Sequence, residues 1–305
     1  MKSSEGAAGA EPVQRVRELG ARFDPEVLAA TRAIYRPQTD TEPAQEERID
    51  VPYGSHARHR LDVYRPRGAC KGIVVNLHGG GFVAGDKNAD GVFNGNIGRW
   101  LARQGYVAVL PNYRLAPEHT WPSGAQDVQA ALDWVRLNRA ELAWGAAPIV
   151  LWGQSAGAAH AASWLYDDRA RGNETVEVAA VMLLSGFYAA GAFLAAGPRA
   201  YFGEDRALHA ERSPITHVRA VNTPLWLGVA ELDPPETAQQ GYAMACAIAA
   251  AQGRSPDFHF FRGHNHASTT CSLGTSQEDA GAEILRFLNA ITDPLTSART
   301  PAQRA

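Results

Sequence analysis

One short stretch constrains the fold of this chain more than any other, the sequence Leu-Trp-Gly-Gln-Ser-Ala-Gly at residues 151–157. It contains the pattern G-x-S-x-G, with an apolar run before it and a run of small, helix-forming residues after it. Strand, sharp turn and helix in that order are the context of a nucleophile elbow, which needs the small residues Gly153 and Gly157. Ser155 would then lie at a helix N-terminus, where unpaired N–H groups favour negative charge. Because the pattern also occurs by chance, a second group of residues must distinguish a catalytic serine from an ordinary turn.

Strand-like and helical segments alternate along most of the 305 residues. Two short strands joined at Gly54-Ser55 predict an antiparallel start, and the later strands alternate with helices. The strands are predicted at 46–52, 59–64, 72–77, 106–110, 149–152, 178–184, 225–229 and 258–261. This order predicts an α/β fold with a mostly parallel eight-stranded sheet flanked by helices. Sheets of this kind react at the carboxyl ends of their strands.

The second group of residues follows the strand at 72–77 and reads His78-Gly-Gly-Gly-Phe82. Three successive glycines let the backbone approach a ligand and direct N–H groups at it. The amides of Gly80 and Gly81, together with that of Ala156, are therefore predicted to form an oxyanion hole, in which one donor is typically worth ~10²–10³ in rate. His78 is interpreted as a structural residue that braces this loop.

A nucleophilic serine needs a base, and the base needs an acid that orients it. In this architecture the expected chain order is Ser, then Asp or Glu, then His. Glu231 and Asp233 both follow the strand at 225–229, and Asp233 is the preferred acid. His264 and His266 both follow the strand at 258–261, and His266 is the preferred base because it lies beyond the turn at Gly263.

Composition excludes several other functions. The net charge is −3 and no basic run is present, which argues against a nucleic-acid partner. No run approaches the ~20 apolar residues of a membrane span. The three scattered cysteines and the polar N-terminus without an apolar signal region indicate a cytoplasmic protein. Neither metal nor cofactor is expected, the partner is a small-molecule ester, and a homodimer stays open as an alternative to a monomer.

The domain prediction has three parts. Residues 1–45 comprise a segment disordered to about residue 11 and two helices, which either pack on the domain surface or form part of a lid. Residues 46–290 form the catalytic domain, and 291–305 a flexible tail. An aromatic-rich insertion near 186–221 is expected to form a small helical cap, most of whose aromatic residues pack on the core. Phe82, Gln154 and Phe187 are predicted to line the substrate pocket.

Six motifs in this order give the chain a family resemblance. They are H-G-G-G-F at 78–82, G-D-K at 85–87, N-Y-R-L-A-P-E at 112–118, G-Q-S-A-G at 153–157, E-L-D-P at 231–234 and G-H-N-H at 263–266. Over roughly residues 46–290 the chain resembles the hormone-sensitive-lipase-like esterases of the α/β-hydrolase fold.

The resemblance implies roles for individual residues. Ser155 would be the nucleophile, Asp233 the acid and His266 the base, with the oxyanion hole from Gly80, Gly81 and Ala156. It also implies a structural loop built by Tyr113, Arg114 and Pro117. Two departures affect the acid and the base: Pro235-Glu236 stands where relatives often continue D-P-L-x-D, and H-N-H-A-S replaces H-G-F.

Three functions are compatible with these residues. The first is a serine carboxylic-ester hydrolase acting on small to medium acyl esters through an acyl-enzyme. The second is an arylformamidase of the kynurenine formamidase type, although some such sequences carry H-G-G-x-W where this chain has Phe82. The third is a non-catalytic ligand-binding receptor of the same fold, which the presence of both Ser155 and His266 disfavours.

Overall fold

An eight-stranded sheet forms the centre of the protein in a computed structural model that describes residues 5–140, 144–172, 176–192 and 195–293. The strands are β1 (Glu46–Pro52), β2 (Arg60–Arg65), β3 (Ile73–Leu77), β4 (Val107–Pro111), β5 (Ile149–Gln154), β6 (Ala180–Leu184), β7 (Leu225–Leu232) and β8 (Asp257–Asn265). Their order across the sheet is β1-β2-β4-β3-β5-β6-β7-β8. β2 pairs antiparallel with β1 and β4, and the remaining neighbours pair parallel. The predicted mostly parallel α/β sheet is confirmed.

The α-helices in the described residues connect these strands or flank the sheet. They are α1 (Glu5–Leu19), α2 (Pro25–Tyr35), α3 (Gly95–Arg103), α4 (Ser123–Asn138), α5 (Ala156–Tyr166), α6 (Asp168–Arg171), α7 (Ala196–Phe202), α8 (His209–Arg212), α9 (Pro235–Gln252), α10 (Ser268–Cys271) and α11 (Asp279–Thr292). Short 3-10 turns occur at Arg36–Gln38, Ala190–Ala192, Arg206–Leu208 and Pro214–His217. No helix in the described ranges is long and apolar enough to cross a membrane.

Helices cover both faces of the sheet. In β5, Ile149 and Leu151 pack in a cluster with apolar residues of α4, α5 and α9, whereas Val150 and Trp152 pack with α3 and α11. Successive strand residues point to opposite faces, so a strand buried on both sides reads as a continuous apolar run. All strand residues from Ile149 to Gly153 are buried accordingly. The site-bearing ends of the strands are thereby held by a packed three-layer core.

The two ends of the chain differ from the sequence prediction. The sequence predicts disorder over residues 1–11, whereas α1 begins at Glu5, and residues 1–4 lie outside the described part. Alanine and glutamate favour helix, and Val16 anchors α1 because its side chain is fully buried. The tail predicted from 291 begins inside α11, which ends at Thr292, where the Thr292 hydroxyl bonds Tyr106 at 3.0 Å. Residues 294–305 lie outside the described ranges.

The insertion at 186–221 contains α7, α8 and three of the 3-10 turns. Tyr188, Tyr201 and Phe202 are each 1 % exposed, so they pack as expected, and Phe193 lies outside the described residues. The N-terminal helices pack on the domain near the site, where Val16 and residues of α2 cluster with Phe93 and Cys271. That they and the insertion act as one cap stays a prediction.

Candidate active site

Ser155 lies at the sharp turn between β5 and α5. Its φ is 57° and its ψ is −120°, a strained conformation for a residue with a side chain. A Cβ added to Gly153 would lie 2.3 Å from the carbonyl oxygen of Gly157, and one added to Gly157 would lie 2.3 Å from that of Leu77. Only glycine fits at these two positions. The turn thus presents the serine hydroxyl at the carboxyl edge of the sheet.

The structure brings Ser155, His266 and Asp233 into one hydrogen-bonded row. The Nε2 atom of His266 lies 2.9 Å from Oγ of Ser155, and its Nδ1 lies 2.7 Å from Oδ1 of Asp233. All three residues are at most 3 % exposed. An ionised carboxylate only accepts hydrogen bonds, so Nδ1 donates to Asp233 and Nε2 is left to accept from the serine hydroxyl. This is the geometry of a nucleophile, base and acid.

Two further groups hold the Asp233 carboxylate, and the sequence analysis did not identify them. The Ser185 hydroxyl donates to Oδ2 at 2.7 Å, and the backbone N–H of Ala230 donates to the same oxygen at 2.8 Å. Ser185 follows β6 directly, so its position at a strand end was the available signal. The backbone carbonyl of His266 accepts a 3.0 Å hydrogen bond from the Gln154 side chain. Hydrogen bonds to protein groups on either side therefore fix both Asp233 and His266.

Glu231 and His264, the alternative candidates for the acid and the base, lie away from Ser155. Glu231 accepts a hydrogen bond from the backbone N–H of Gly263 and lies 3.5 Å from the guanidinium of Arg17 in α1. His264 is fully buried, with Nδ1 3.0 Å from the Ser268 hydroxyl and Nε2 3.1 Å from the Asp279 carboxylate. Both residues stabilise the loop that carries His266, and neither forms a hydrogen bond with Ser155 within the described residues.

The glycine loop after β3 lies against Ser155. A Cβ on Gly79 would lie 3.1 Å from the Cβ of Ser155, which shows how closely the loop approaches the elbow. Gly80 and Gly81 have φ of 145° and 59°, and their amides donate no hydrogen bond to any described residue. The amide of Ala156 is the first of α5 and so lacks an acceptor within the helix. These three N–H groups are available to a ligand, and their role as an oxyanion hole stays a prediction.

Three buried rings support that loop from behind. Tyr113 stacks on His78 at 4.3 Å and donates a 2.7 Å hydrogen bond to the His78 carbonyl. Burial lowers the pKa of His78 to about 4, so the ring is neutral near pH 7. His160 lies 4.6 Å from the Tyr113 ring, and burial lowers its pKa to about 3. These histidines act as uncharged packing residues, in agreement with the interpretation of His78 as a brace.

Two cavities meet at Ser155. The helix-side cavity, of about 420 Å³, lies toward the N-terminal helices; its lining includes Leu28, Arg32, Gly79, Gly80, Asp86, Phe93, Asn94, Gln154 and Cys271. The cap-side cavity, of about 470 Å³, lies toward the insertion; it is lined by Gly81, Val83, Phe187, Ala195, Gly197, Pro198, Pro234, Glu236 and Thr237. Both also contain Phe23 and Ser155.

The pocket residues expected from sequence fall in different places. Gln154 lines the helix-side cavity and Phe187 the cap-side cavity, but Phe82 lines neither. Phe82 is 1 % exposed because it stacks on Tyr201 at 4.8 Å in the cap interior, and Val83 faces the cavity instead. Phe23, which the sequence analysis missed, has its ring 4.4 Å from that of His266. Phe23 is an isolated aromatic residue between α1 and α2, and no local sequence pattern indicates that it contacts His266.

Comparison with known sequences matches part of the chain. The protein-family model described as BD-FAE matches residues 61–180. Carboxylesterase NlhH of Mycobacterium tuberculosis (strain ATCC 25618 / H37Rv) is 42 % identical over 86 residues, which cover 28 % of this chain and 26 % of that protein. Carboxylic ester hydrolase LipN of the same strain is 32 % identical over 142 residues, 43 % of this chain and 35 % of that protein. The chain thus spans only about a quarter to a third of these curated relatives.

Comparison with solved structures covers nearly the whole chain. Esterase B from Lactobacillus rhamnosis, in a tributyrin phosphonate structure, has a TM-score of 0.72 at 20 % identity and covers 90 % of this chain and 99 % of its own. An esterase from Pyrobaculum calidifontis has a TM-score of 0.71 at 24 % identity and covers 93 % of this chain and 98 % of its own. At these identities the likeness establishes the shared fold.

Proposed function

The fold, the sequence relatives and the structural neighbours support an α/β-hydrolase esterase family, and from that premise we propose that this chain is a serine carboxylic-ester hydrolase. The observation that carries the proposal is the row of hydrogen bonds from Ser155 through His266 to Asp233. An elbow serine alone does not define a hydrolase. A buried carboxylate, imidazole and hydroxyl at 2.7 and 2.9 Å provide what acyl transfer requires.

Acylation uses this row directly. As the Ser155 oxygen attacks the ester carbonyl carbon, Nε2 of His266 takes the hydroxyl proton, and Asp233 stabilises the resulting imidazolium. His266 then gives this proton to the leaving alkoxide, and the alcohol departs. The Ser185 hydroxyl and the Ala230 N–H both donate to Oδ2 of Asp233. Because this oxygen is held, Oδ1 stays directed at Nδ1 of His266 throughout the reaction.

The tetrahedral intermediate carries a negative oxygen that must be stabilised. In the proposed mechanism the amides of Gly80, Gly81 and Ala156 donate to this oxygen, because they are unpaired and close to Ser155. Deacylation repeats the sequence with water: His266 takes a proton from water, the hydroxide oxygen attacks the acyl carbon, and Ser155 regains its proton. The products are a carboxylic acid and an alcohol.

The cavities support small to medium substrates. Volumes of about 420 and 470 Å³ on the two sides of Ser155 are within the usual range for sites that bind small molecules. Because Ser155 lines both cavities, the acyl group of an ester can occupy one cavity and its alcohol part the other. The cap-side cavity is mainly apolar and its lining includes Phe187 and Pro198, which suits an acyl chain of a few carbons.

Hydrolysis of 4-nitrophenyl acetate and 4-nitrophenyl butyrate tests the proposal. We expect turnover of both, and a loss of about 10⁴- to 10⁶-fold in kcat for Ser155→Ala. Ser163→Ala is the matched control, since Ser163 is a buried serine within α5 and is outside the hydrogen-bonded row. Turnover of an aryl formamide without ester turnover would favour the formamidase, and tight ligand binding without turnover of either would favour a receptor.

Location and assembly belong to the proposal as well. We propose a cytoplasmic enzyme, from the cysteine usage, with a homodimer as the alternative to a monomer. Light scattering of the purified chain at assay concentration measures the assembly state directly.

A further inference from the structure

Arg32 of α2 lines the helix-side cavity next to the catalytic serine. Its Nε atom is buried and has no hydrogen-bond partner among the described residues. Burying a donor without a partner is unfavourable, and more so when the group is charged. The Arg32 side chain as a whole is 27 % exposed, so its outer Nη groups, and not the buried Nε, are accessible at the cavity wall.

The nearest acid does not neutralise Arg32 closely. Asp90 lies 3.7 Å from its Nη1, beyond hydrogen-bond distance, and the same Asp90 oxygen lies 2.7 Å from Nη2 of Arg36. Arg36 thus holds the Asp90 carboxylate, and two guanidinium groups share one negative charge. Both also lie over the Phe93 ring, at 5.6 and 5.4 Å from its centroid, but only Arg32 lines the cavity.

Apolar residues line the same cavity as Arg32. Leu28, Phe93 and Cys271 line it, and the last two are at most 5 % exposed. Asp86 lines the same cavity, but its Oδ1 accepts from the Asn88 amide at 2.9 Å and its Oδ2 from the Asn112 side chain at 2.8 Å. Both Asp86 oxygens thus accept hydrogen bonds from the protein, whereas the Arg32 guanidinium donates none to any described residue.

We propose that Arg32 forms an anion subsite that selects esters carrying a second, free carboxylate. The inference rests on the proposed ester hydrolysis at Ser155 and specifies its substrate class. The two Nη groups of the planar guanidinium can bind both oxygens of a carboxylate. The charge lies on the acyl part in a monoester of a dicarboxylic acid, and on the alcohol part in an ester of a hydroxy acid or carboxyphenol.

Paired substrates distinguish these two sources. 4-Nitrophenyl hemiglutarate against 4-nitrophenyl valerate places the charge on the acyl side, and 3-carboxyphenyl butyrate against phenyl butyrate places it on the alcohol side. The readout is the ratio of kcat/KM, charged over neutral, within each pair, so that any general loss of activity cancels. For one pair we expect Arg32→Met to lower this ratio by about 10- to 100-fold.

Two other variants sharpen the test. Arg32→Lys keeps the positive charge but loses the paired N–H donors of the guanidinium. It should therefore recover part of the charged-over-neutral ratio of kcat/KM. Arg15→Met makes the same charge change on α1, where Arg15 pairs with Glu11 away from the cavities, and should leave both ratios as in the wild type. Ratios that are equal in the wild type and Arg32→Met for both pairs would overturn the subsite while leaving ester hydrolysis intact.

Failure of the hydrolase proposal is detected separately. If no ester is turned over, the Ser155→Ala protein is titrated with glutarate and with 3-hydroxybenzoate by calorimetry. Binding of either acid that weakens at least about tenfold in the protein that also carries Arg32→Met supports the subsite. Absence of binding, or binding that Arg32→Met does not change, refutes it.

Discussion

The side-chain amide of Asn265 donates a 2.9 Å hydrogen bond to the hydroxyl of Thr31 and so connects helix α2 to the residue before His266. Both residues are at most 1 % exposed. The Asn265 side-chain oxygen accepts the backbone N–H groups of Ala267 and Ser268 at 3.1 and 2.9 Å, which shapes the turn around His266. Helix α2 therefore takes part in positioning His266 and does not simply cover the domain.

Thr31→Val should weaken this connection. The change leaves a buried amide donor of Asn265 without its acceptor, at a cost of about 1–3 kcal/mol in the free energy of unfolding. We expect kcat on 4-nitrophenyl butyrate to fall by about tenfold, because a small displacement of His266 misaligns proton transfer. Thr39→Val is the control, since the Thr39 hydroxyl donates to the Tyr35 carbonyl at 3.0 Å and to no other described residue. Equal kcat in the two variants would contradict a positioning role for Thr31.

Phe23→Ala should alter substrate selection. Phe23 lies at the junction of the two cavities and 4.4 Å from the His266 ring, so its loss would merge them. We expect the preference for small over bulky esters to decrease by about tenfold in kcat/KM, the scale set by a few methylene contacts. Phe260→Ala serves as the control because Phe260 is exposed to the same degree, 37 % against 38 %, and lines neither cavity. An unchanged acyl and alcohol profile would remove Phe23 from the specificity determinants.

Ser185→Ala should lower kcat while KM changes little. Its hydroxyl donates to the Asp233 oxygen that does not face His266, a charge-assisted bond worth about 1.5–3 kcal/mol. The carboxylate then orients the imidazole less firmly, and the loss appears only as charge develops in the transition state. We expect a fall of about tenfold in kcat. Ser213→Ala, a buried serine bonded within the insertion, controls for general destabilisation; a rise in KM with unchanged kcat would argue against the role.

His160 should make the protein sensitive to acid. Burial lowers its pKa from the ordinary 6.5 to about 3, and neither ring nitrogen has a partner in the described residues. Between these two pH values the unfolded chain binds a proton that the folded chain does not. This contribution to stability is therefore complete above pH 6.5 and is lost as the pH falls toward 3, by up to about 1.4 kcal/mol per pH unit.

Replacing the ring tests this prediction. His160→Leu should lower stability at pH 7 but flatten the pH dependence between pH 6.5 and 4, because His78 is then the remaining buried histidine of that cluster with a strongly lowered pKa. Urea unfolding at pH 7, 6, 5 and 4 measures the free energy of unfolding for both proteins. A slope identical to that of the wild type would show that His160 does not contribute.

Much of the fold could be predicted from the sequence because its signals are local. Apolar runs of strand length, helical periodicity and the turn at Gly54-Ser55 each depend on residues close together in the chain, and the resulting eight-stranded sheet is confirmed. The elbow is local in the same way, since Gly153, Ser155 and Gly157 carry its steric requirement. The sequence prediction began α1 at Pro12, a residue that favours the first turn of a helix, whereas the structure places Pro12 inside α1.

The choice between neighbouring candidates was beyond local reasoning. His264 and His266 would point to the same face of an ideal strand, being two residues apart. In the structure Gly263 has a φ of 74° and β8 ends at Asn265, so the first ring bonds Asp279 and the second lies beside Ser155. Phe82 shows the same effect, since its positive φ of 71° directs it into the cap interior and leaves Val83 at the cavity.

The sequence by itself determined the element order, the sheet and the short segments that carry chemistry, because each of these rests on backbone preferences and side-chain patterns within a few residues. The tertiary structure decided which of those side chains meet. Ser155 and His266 are 111 positions apart, and Thr31 and Asn265 are 234 apart. Contacts over such separations follow from how all the layers pack together, which no local pattern encodes.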